Sequence, residues 1–500
     1  MATSRPGDGA GDASMGIDGL DDILMGGLER ERLYLLEGSP GTGKTTAAIS
    51  FLRAGAALGE AVLYITLSET ETELRRAAES HDWDMGGIEV FELVPPESLL
   101  DEQQQQSLLY SSDLELGETT RMIFQAVERL RPARVVIDSL SEIRLLAQSS
   151  LRYRRQVLAL KHYFTKHAAT VLMLDDLTTD ALDKTVHSVA HGVIRVEELS
   201  PEYGAERRRI RVIKYRARKF RGGYHDFTIR TGGLEVYPRL VSAEHRRSFP
   251  RDRLPSGSEG LDALLGGGVE RGASCLVLGP AGTGKSLVAL YFIVSAVKRG
   301  EKAALFAFDE ELGLLFDRTL GIGIDLQAMV DAGSLVVQQV DAAELSPGEF
   351  TALVRNCVDF QGIKTVVIDS LNGYQASMPE ESFLLLHIHE LLQYLNRQGA
   401  TTFLTVAQHG LVGDMKAPVD VTYLADTVIL LRYFEAFGEV HRAMSVIKKR
   451  AGPHEKSIRE FNISADGLVV GAPLKDFHGV LRGVPNFVGK GSGLMGDPSA

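Results

Sequence analysis

The chain has 500 residues, of which 44% are hydrophobic, and a formal net charge of −12 at pH 7. This acidic balance argues against a general nucleic-acid binder, because such proteins usually present a basic face. No apolar run approaches the roughly 18 residues of a membrane-spanning helix, and the N-terminus lacks the apolar stretch of a signal peptide. We therefore expect a cytoplasmic protein without membrane contact, whose two cysteines, Cys275 and Cys357, are reduced core thiols.

The first chemical motif follows a short apolar run near the N-terminus. Residues 1–14 are rich in Gly, Asp and Ala, and we expect them to be disordered. The apolar residues 33–36 predict a strand, and residues 38–45 read Gly-Ser-Pro-Gly-Thr-Gly-Lys-Thr. This stretch matches the phosphate-binding pattern G-x-x-x-x-G-K-[ST], and a helix-like segment follows it. The alternative for a single match is a glycine-rich turn before a helix.

The same pattern occurs again 241 residues later, at residues 279–286. The repeat is longer than the loop, because residues 16–21 align with residues 257–262 at the same offset. A period of this length indicates a duplicated domain and not a solenoid. The expected organisation is a first domain at 15–240, a linker at 241–254, a second domain at 255–470 and a flexible C-terminal tail at 471–500.

Each loop contains the residue types that hold a nucleoside triphosphate. Glycines let backbone N–H groups point at the phosphates, at the positive end of the helix that follows. The lysine reaches the β- and γ-phosphates, and the hydroxyl after it is a magnesium ligand. The predicted ATP-binding residues are Gly38, Ser39, Gly41, Thr42, Gly43, Lys44, Thr45 and Thr46 in the first loop, and Gly279, Gly282, Thr283, Gly284, Lys285, Ser286 and Leu287 in the second.

An apolar strand that ends in aspartate follows each loop. Residues 135–140 read V-V-I-D-S-L, and the same letters recur at 366–371. A carboxylate at the C-terminal end of such a strand can hold the water shell of a metal ion. Apolar runs that alternate with helical segments predict, for each half, a mainly parallel, twisted α/β sheet flanked by helices. The predicted magnesium ligands are Thr45 and Asp138 in the first half, and Ser286 and Asp369 in the second.

Acidic residues follow the second predicted strand of each half. They are Glu69 in the first half, and Asp309 and Glu310 in the second. A carboxylate at this edge of the sheet can orient an attacking water or hydroxyl, so all three are candidate general bases. The alternative is that these residues open the next helix, whose dipole favours negative charge at its start.

Residues 207–221 contain nine Lys and Arg residues interleaved with apolar ones, and they predict a basic strand. Two cations two positions apart share one face of a strand. Such pairs are Lys214 with Arg216, and Lys448 with Arg450 in the second half. Each pair is a candidate to contact a γ-phosphate, as an arginine finger does. The alternatives are a nucleic-acid contact and a solvated edge strand protected by its charges.

Together these residues resemble the KaiC family of the circadian clock, over about residues 15–470. The most specific matches are the aligned segments 16–21 and 257–262, and the phosphate loop and aspartate-ending strand of each half. The late segments at 426–433, 446–452 and 454–461 match as well. The resemblance implies tandem RecA-like P-loop NTPase domains that bind Mg-ATP in a homohexamer of two stacked rings. It also implies that both Lys-x-Arg pairs reach the neighbouring subunit's ATP, and that a KaiB-like or other signalling protein is the partner.

The sequence departs from the family pattern at two places. The family has two adjacent glutamates after the second strand of each half, whereas the first of each pair is here Ser68 or Asp309. Asp309 keeps a carboxylate, but Ser68 has none, so the first half must use Glu69 or hydrolyse ATP slowly. The family phosphorylates a Ser-Thr pair where this chain has Thr422 and Tyr423, so Thr422 is the candidate phosphoacceptor.

Three functions fit these observations. The leading hypothesis is a KaiC-like signalling ATPase with two Mg-ATP sites, slow hydrolysis, and serine/threonine autophosphorylation in the second domain. The second is a RecA-like DNA translocase or recombinase, which only the basic segment at 207–221 supports. The third is a ring scaffold that assembles when it binds ATP but does not hydrolyse the ATP. The change at Ser68 lends weight to this hypothesis.

Overall fold

The chain divides into two compact units between Arg239 and Leu240 in the computed structural model. Within the described residues, no helix combines the length and the hydrophobicity of a membrane span. The described residues are 11–93, 112–177, 185–200, 204–376, 381–408, 422–436, 438–464, 467–482 and 486–487.

The first unit is built on a nine-stranded sheet. Its strands are β1 (Leu33–Gly38), β2 (Val62–Thr66), β3 (Ile88–Glu92), β4 (Arg134–Asp138), β5 (Thr170–Asp176), β6 (Gly192–Leu199), β7 (Arg207–Tyr215), β8 (His225–Arg230) and β9 (Gly233–Tyr237). Its helices are α1 (Asp18–Ile23), α2 (Lys44–Ala56), α3 (Glu71–Glu79), α4 (Ser112–Leu130), α5 (Leu140–Ala147), α6 (Ser150–Lys166) and α7 (Thr185–Val189). The strand order is β3-β2-β4-β5-β1-β6-β7-β8-β9. The first six strands of that order are parallel and the last three are antiparallel.

The second unit repeats this sheet. Its strands are β10 (Arg253–Leu254), β11 (Val269–Glu270), β12 (Ser274–Gly279), β13 (Ala303–Ala307), β14 (Leu335–Gln339), β15 (Thr365–Asp369), β16 (Thr401–Ala407), β17 (Thr427–Ala436), β18 (Glu439–Lys449), β19 (Arg459–Ser464), β20 (Gly467–Pro473), β21 (Phe477–His478) and β22 (Asn486–Phe487). Its helices are α8 (Glu259–Leu264), α9 (Lys285–Lys298), α10 (Leu312–Leu320), α11 (Leu326–Asp331), α12 (Pro347–Asp359), α13 (Leu371–Ala376) and α14 (Glu381–Gln398). The large sheet has the order β14-β13-β15-β16-β12-β17-β18-β19-β20, which matches the first sheet strand for strand. The predicted fold class, two tandem α/β domains with mainly parallel sheets, is confirmed.

The apolar run of β1 lies at the centre of its sheet because both faces of that strand are covered. Tyr34 and Leu36 belong to one hydrophobic cluster, which includes Phe51 of α2. Leu33 and Leu35 belong to the cluster on the other face. A strand buried on both faces reads as a continuous apolar run, as parallel sheets require. This packing fixes the end of β1, and therefore the start of the loop at residue 38.

Residues near the expected domain boundaries are built into the two units. Ala13 is fully buried and exchanges two backbone hydrogen bonds with Leu28, so the first fold begins before residue 15. In the expected linker, the ring of Phe249 packs so closely on Gly272 and Gly399 that a Cβ at either glycine would overlap it. Strand β20 continues to residue 473, inside the expected tail. The expected boundaries rest on the repeat, which marks only what both halves share.

Buried His225 makes the stability of the first unit depend on pH. Its Nδ1 accepts a hydrogen bond from the Arg239 N–H at 2.8 Å, and its Nε2 donates to the Arg221 carbonyl at 3.1 Å. Only a neutral ring makes both bonds, and burial lowers the pKa of His225 from 6.5 to about 4. The unfolded chain therefore binds this proton first as the pH falls, so the stabilisation is complete above pH 6.5. About 3 kcal/mol of it is lost between pH 6.5 and 4.

Urea unfolding monitored by the fluorescence of Trp83 checks this expectation, since Trp83 is the only tryptophan and lies in the first unit. In His225→Gln, which cannot titrate, this part of the pH dependence should disappear. Equal pH dependence in the wild type and the variant would show that His225 titrates normally.

Candidate functional site

Both predicted phosphate loops join the central strand of a sheet to a buried helix. β1 leads through the first loop into α2, and β12 leads through the second loop into α9. Gly41 and Gly43 have φ angles of 83° and 92°, and Gly282 and Gly284 have φ angles of 75° and 99°. Glycine adopts this backbone conformation without strain, unlike other residues. Both loops therefore wrap the N-terminus of a helix at the carboxyl edge of their sheet, where helix dipoles favour anions.

Side chains inside the loops brace the same turn in both units. The Thr42 hydroxyl donates to the Ser39 carbonyl at 2.7 Å, and the Thr283 hydroxyl donates to the Pro280 carbonyl at 2.8 Å. Thr46 lies on the first turn of α2, and its hydroxyl oxygen is 3.4 Å from the Nε2 atom of His81. Leu287 is 2% exposed and its side chain packs in the hydrophobic core. Its predicted contact with ATP is therefore limited to its backbone.

The predicted magnesium ligands of the first unit lie together. Asp138 ends β4, and the Tyr64 hydroxyl donates to its Oδ2 atom at 2.6 Å. Burial raises the pKa of Asp138. Hydrogen bonds from Tyr64 and Thr45, together with the charge of Lys44, offset part of this rise in pKa. The hydroxyl of Thr45 and the carboxylate of Asp138 are therefore neighbours, as a shared metal ligand set requires.

The second unit holds its aspartate with a different residue. The Thr405 hydroxyl donates to Oδ1 of Asp369, and Leu305 occupies the position of Tyr64. In both units a hydroxyl and a carboxylate, hard oxygen donors, are available beside the loop, and this donor set fits Mg²⁺. Among the described residues, no group of three or more His, Cys, Asp or Glu side chains could hold a metal ion by itself. These residues therefore fit a metal ion that takes its remaining ligands from phosphates and water.

The candidate bases have unequal surroundings. The pKa of Glu69 is raised by burial and by the charges of Asp138, Glu73 and Asp176. Glu310 forms two hydrogen bonds with Arg318, at 3.0 and 2.7 Å, which occupy both of its carboxylate oxygens.

Asp309 instead lies beside the strand-end aspartate of the second unit. Its Oδ2 atom accepts a hydrogen bond of 2.5 Å from the hydroxyl of Ser370, the residue after Asp369. Glu311 caps α10 by accepting hydrogen bonds from the N–H groups of Gly313 and Leu314. The three acidic residues at 309–311 therefore have different contacts, and Asp309 has the better position for a base in the second unit.

The first Lys-x-Arg pair lies at the opposite edge of its sheet from its own phosphate loop. Lys214 donates to the carbonyls of His187 and Ala190, and Arg216 donates to the carbonyl of Ser188. These carbonyls belong to α7 and to the residue that follows it, just before β6 and at the amino edge of the sheet. The strand register places Tyr215, which lies between the two cations, level with Tyr34 near the start of β1.

The second pair repeats these contacts around the candidate phosphoacceptor. Lys448 donates to the carbonyls of Thr422 and Ala425 at 2.9 and 2.8 Å. Arg450 donates to the Tyr423 carbonyl at 2.8 Å. The structure thus brings Thr422, Lys448 and Arg450 together at the amino edge. Their partners in the predicted chemistry, Lys285, Ser286 and Asp369, lie at the carboxyl edge.

The basic segment at 207–221 is partly neutralised within the first unit. Four of its arginines form ion pairs of 2.6 to 3.2 Å with acidic side chains. Tyr224 also stacks under two of its guanidinium groups. These contacts fit a charged antiparallel strand better than an open nucleic-acid surface. The ion pairs are Arg208–Glu198, Arg209–Glu197, Arg218–Asp12 and Arg221–Asp22.

Two residues of the first site were not predicted from the sequence. One is Tyr64, which binds Asp138, and the other is Asp176, whose Oδ1 atom lies 2.7 Å from the Lys44 Nζ atom. The signal for Asp176 was a strand-like run that ends in two aspartates, Asp175 and Asp176. Only the strand order, which places β5 beside β1, shows that this run ends next to the phosphate loop.

Comparison with known proteins gives matches along almost the whole chain. A family model described as the KaiC ATPase matches residues 13–241 and 254–475, one range in each unit. The chain is 28% identical to the circadian clock protein KaiC3 of Synechocystis sp., over 96% of this chain and 95% of that protein. It is 28% identical to the circadian clock oscillator protein KaiC of Synechococcus elongatus, over 94% and 91%. The corresponding protein of Acaryochloris marina is 27% identical, with the same coverage of both chains.

Proposed function

The chain belongs to the KaiC ATPase family, and on that premise we propose that it is a cytoplasmic signalling ATPase with two Mg-ATP sites per chain. The observation that carries this proposal is the repetition of one site geometry. In each unit a glycine-rich loop leads into a helix that begins with lysine and a hydroxyl residue, beside a strand that ends in aspartate. Two copies of an ATP site explain this conservation of geometry better than a single active site would.

The proposed roles follow from the chemistry of the side chains. The loop N–H groups, Lys44 and Lys285 bind phosphates, and the hydroxyl and aspartate of each unit hold Mg²⁺. An ion held there would supply positive charge to balance that of the phosphates. In the first unit Glu69 accepts a proton from the attacking water, and in the second unit Asp309 does so. Slow hydrolysis is expected in the first unit, because Ser68 supplies no second carboxylate there.

The positions of the cation pairs support sites shared between subunits. Arg216 bonds to His191, which bonds in turn to Leu33 at the start of β1, about 16 Å along the strand from Gly38. It therefore cannot contact phosphates on its own loop, but it could contact those of a neighbour. A head-to-tail interface of this kind can close into a ring, and we propose a ring of six subunits, as the family resemblance implies. A KaiB-like or other signalling protein is the partner we propose for this ring.

We include autophosphorylation of Thr422 in the proposal. Thr422 lies at the same edge as Lys448 and Arg450, where a neighbour's γ-phosphate would arrive. Its hydroxyl oxygen would form the new bond to phosphorus as the bond between the β- and γ-phosphates breaks and ADP leaves. The hydroxyl proton would pass to a carboxylate such as Asp309 of the neighbour. The acceptor and the nucleotide would then belong to different subunits.

Incubation with labelled ATP, followed by mass spectrometry, tests both activities. We expect ADP to accumulate and phosphate to appear on Thr422 in the wild type. Both products should be absent from the double variant Lys44→Ala, Lys285→Ala, which lacks the two phosphate-binding amines. Retained ATP binding by the double variant would contradict the two-site proposal. Phosphate on other residues, or on none, would reject the autokinase part alone.

A further inference from the structure

The phosphate-binding lysine of the first unit has no hydrogen-bond donor left for a phosphate. A lysine ammonium group has three N–H donors. Lys44 Nζ contacts the Gly38 carbonyl at 2.8 Å, the Ser39 carbonyl at 2.9 Å and Oδ1 of Asp176 at 2.7 Å. The lysine side chain is 8% exposed, so this arrangement is enclosed by protein. A phosphate can bind Lys44 only if it displaces one of these acceptors.

The second unit has no acidic residue at this position. The strand register pairs Gly38 with Asp176 in the first unit, and Gly279 with Ala407 in the second. Lys285 donates to the Pro280 carbonyl at 2.8 Å, and within the described ranges no carboxylate forms an ion pair with it. Burial lowers the pKa of Lys285, and the charge of Asp369 offsets only part of this decrease. The ammonium of the second loop is therefore the more available of the two.

Asp176 also adds negative charge close to the other carboxylates of the first site. Asp176 acts electrostatically on both Asp138 and Glu69, so three carboxylates face the loop from the ends of neighbouring strands. A triphosphate that enters here meets like charges and competes with Asp176 for Lys44. A divalent cation bound to the triphosphate removes two negative charges from the incoming ligand. The same cation would reduce its repulsion from Asp176.

We propose that Asp176 makes the first nucleotide site selective for cation-bound triphosphate, so that this site excludes free ATP while the second site tolerates it. This inference rests on the proposed function, in which both loops bind ATP. Asp176 would act as a specificity-determining residue through its ion pair with Lys44. The two sites of one chain would then respond differently to the level of free divalent cation.

Binding of a fluorescent ATP analogue to single-site chains tests the proposal. The Lys285→Ala chain keeps only the first site, and we expect at least about tenfold weaker binding in excess EDTA than in Mg²⁺. Adding Asp176→Asn should remove most of this difference, because Asn keeps the size but not the charge of Asp. The Lys44→Ala chain, with only the second site, should show the small difference from the start. Adding Ala407→Asp to that chain should enlarge the difference.

Asp175→Asn is the matched control in the same strand. Asp175 pairs with Arg144 at 2.6 Å and not with Lys44, so its variant should keep the cation dependence of the Lys285→Ala chain. An unchanged ratio of affinities after Asp176→Asn, or an equal effect of Asp175→Asn, overturns the inference alone. If the Lys285→Ala chain fails to bind even in Mg²⁺, the two-site proposal falls, and the inference falls with it.

Discussion

Mixing Lys285→Ala with Arg450→Ala, two variants impaired in the second unit, is expected to restore ATP hydrolysis in that unit. Removal of Arg450 alone should slow this hydrolysis roughly 10³-fold, as loss of an arginine finger does. In a mixed ring, a chain with an intact loop can meet a neighbour with an intact Arg450. Random assembly at equal amounts gives about a quarter of the sites both parts. The measurement is phosphate release, above the first-unit background of Lys285→Ala alone.

The mixture distinguishes a shared site from a local structural role. Arg450 binds the Tyr423 carbonyl and Asp426 in its own chain, so its loss could instead disturb the turn before β17. That damage would stay in the chain that carries the variant, and mixing would restore nothing. The control is Lys285→Ala mixed with a chain that carries both substitutions, where no site has both parts. Size-exclusion chromatography would check that all mixtures assemble alike.

The two glycine-rich loops could be predicted because the chemistry of their motif fixes its local geometry. A glycine-rich loop of this pattern follows a buried strand and precedes a helix. Residues 38–45 and 279–286 therefore predict the strand and the helix on either side of them. The repeat then supplied the second domain. The parallel part of each sheet followed from alternating apolar runs and helices, whose spacing is visible along the chain.

Charge pairs between distant segments could not be predicted, because sequence spacing does not show which strands become neighbours. The offset of 241 aligned Glu69 with Glu310, yet Arg318 occupies the carboxylate of Glu310 and leaves Asp309 nearer the strand-end aspartate.

Equivalent positions also use different chemistry for one task. The Tyr215 hydroxyl donates to the Gly27 carbonyl in the first unit. Lys449 donates to the Gly268 carbonyl in the second unit. Both side chains hold the same turn, and no local pattern in the sequence announces either contact.

Replacing Arg134 by Met is expected to destabilise the first unit by about 3–5 kcal/mol, as removal of one partner of a buried ion pair does. Arg134 is fully buried at the start of β4 and pairs with Glu60 at 2.5 Å. Its guanidinium also donates to the carbonyls of Ser14 and Phe51, at 2.6 and 2.9 Å. Methionine fills similar space but leaves these carbonyls without their donor. The chain cannot hydrate them without opening the packing between β4 and α2.

Arg30→Met is the matched control, because Arg30 pairs with the same carboxylate of Glu60, also at 2.5 Å, from a side chain that is 34% exposed. Exposed pairs contribute at most about 1 kcal/mol. Urea unfolding of the full chain monitored by Trp83 reports the first unit alone, which avoids treating two domains as one transition. We expect Arg134→Met to lower the unfolding midpoint several times more than Arg30→Met. Equal shifts would mean that Glu60, and not the burial of Arg134, determines the stability of this cluster.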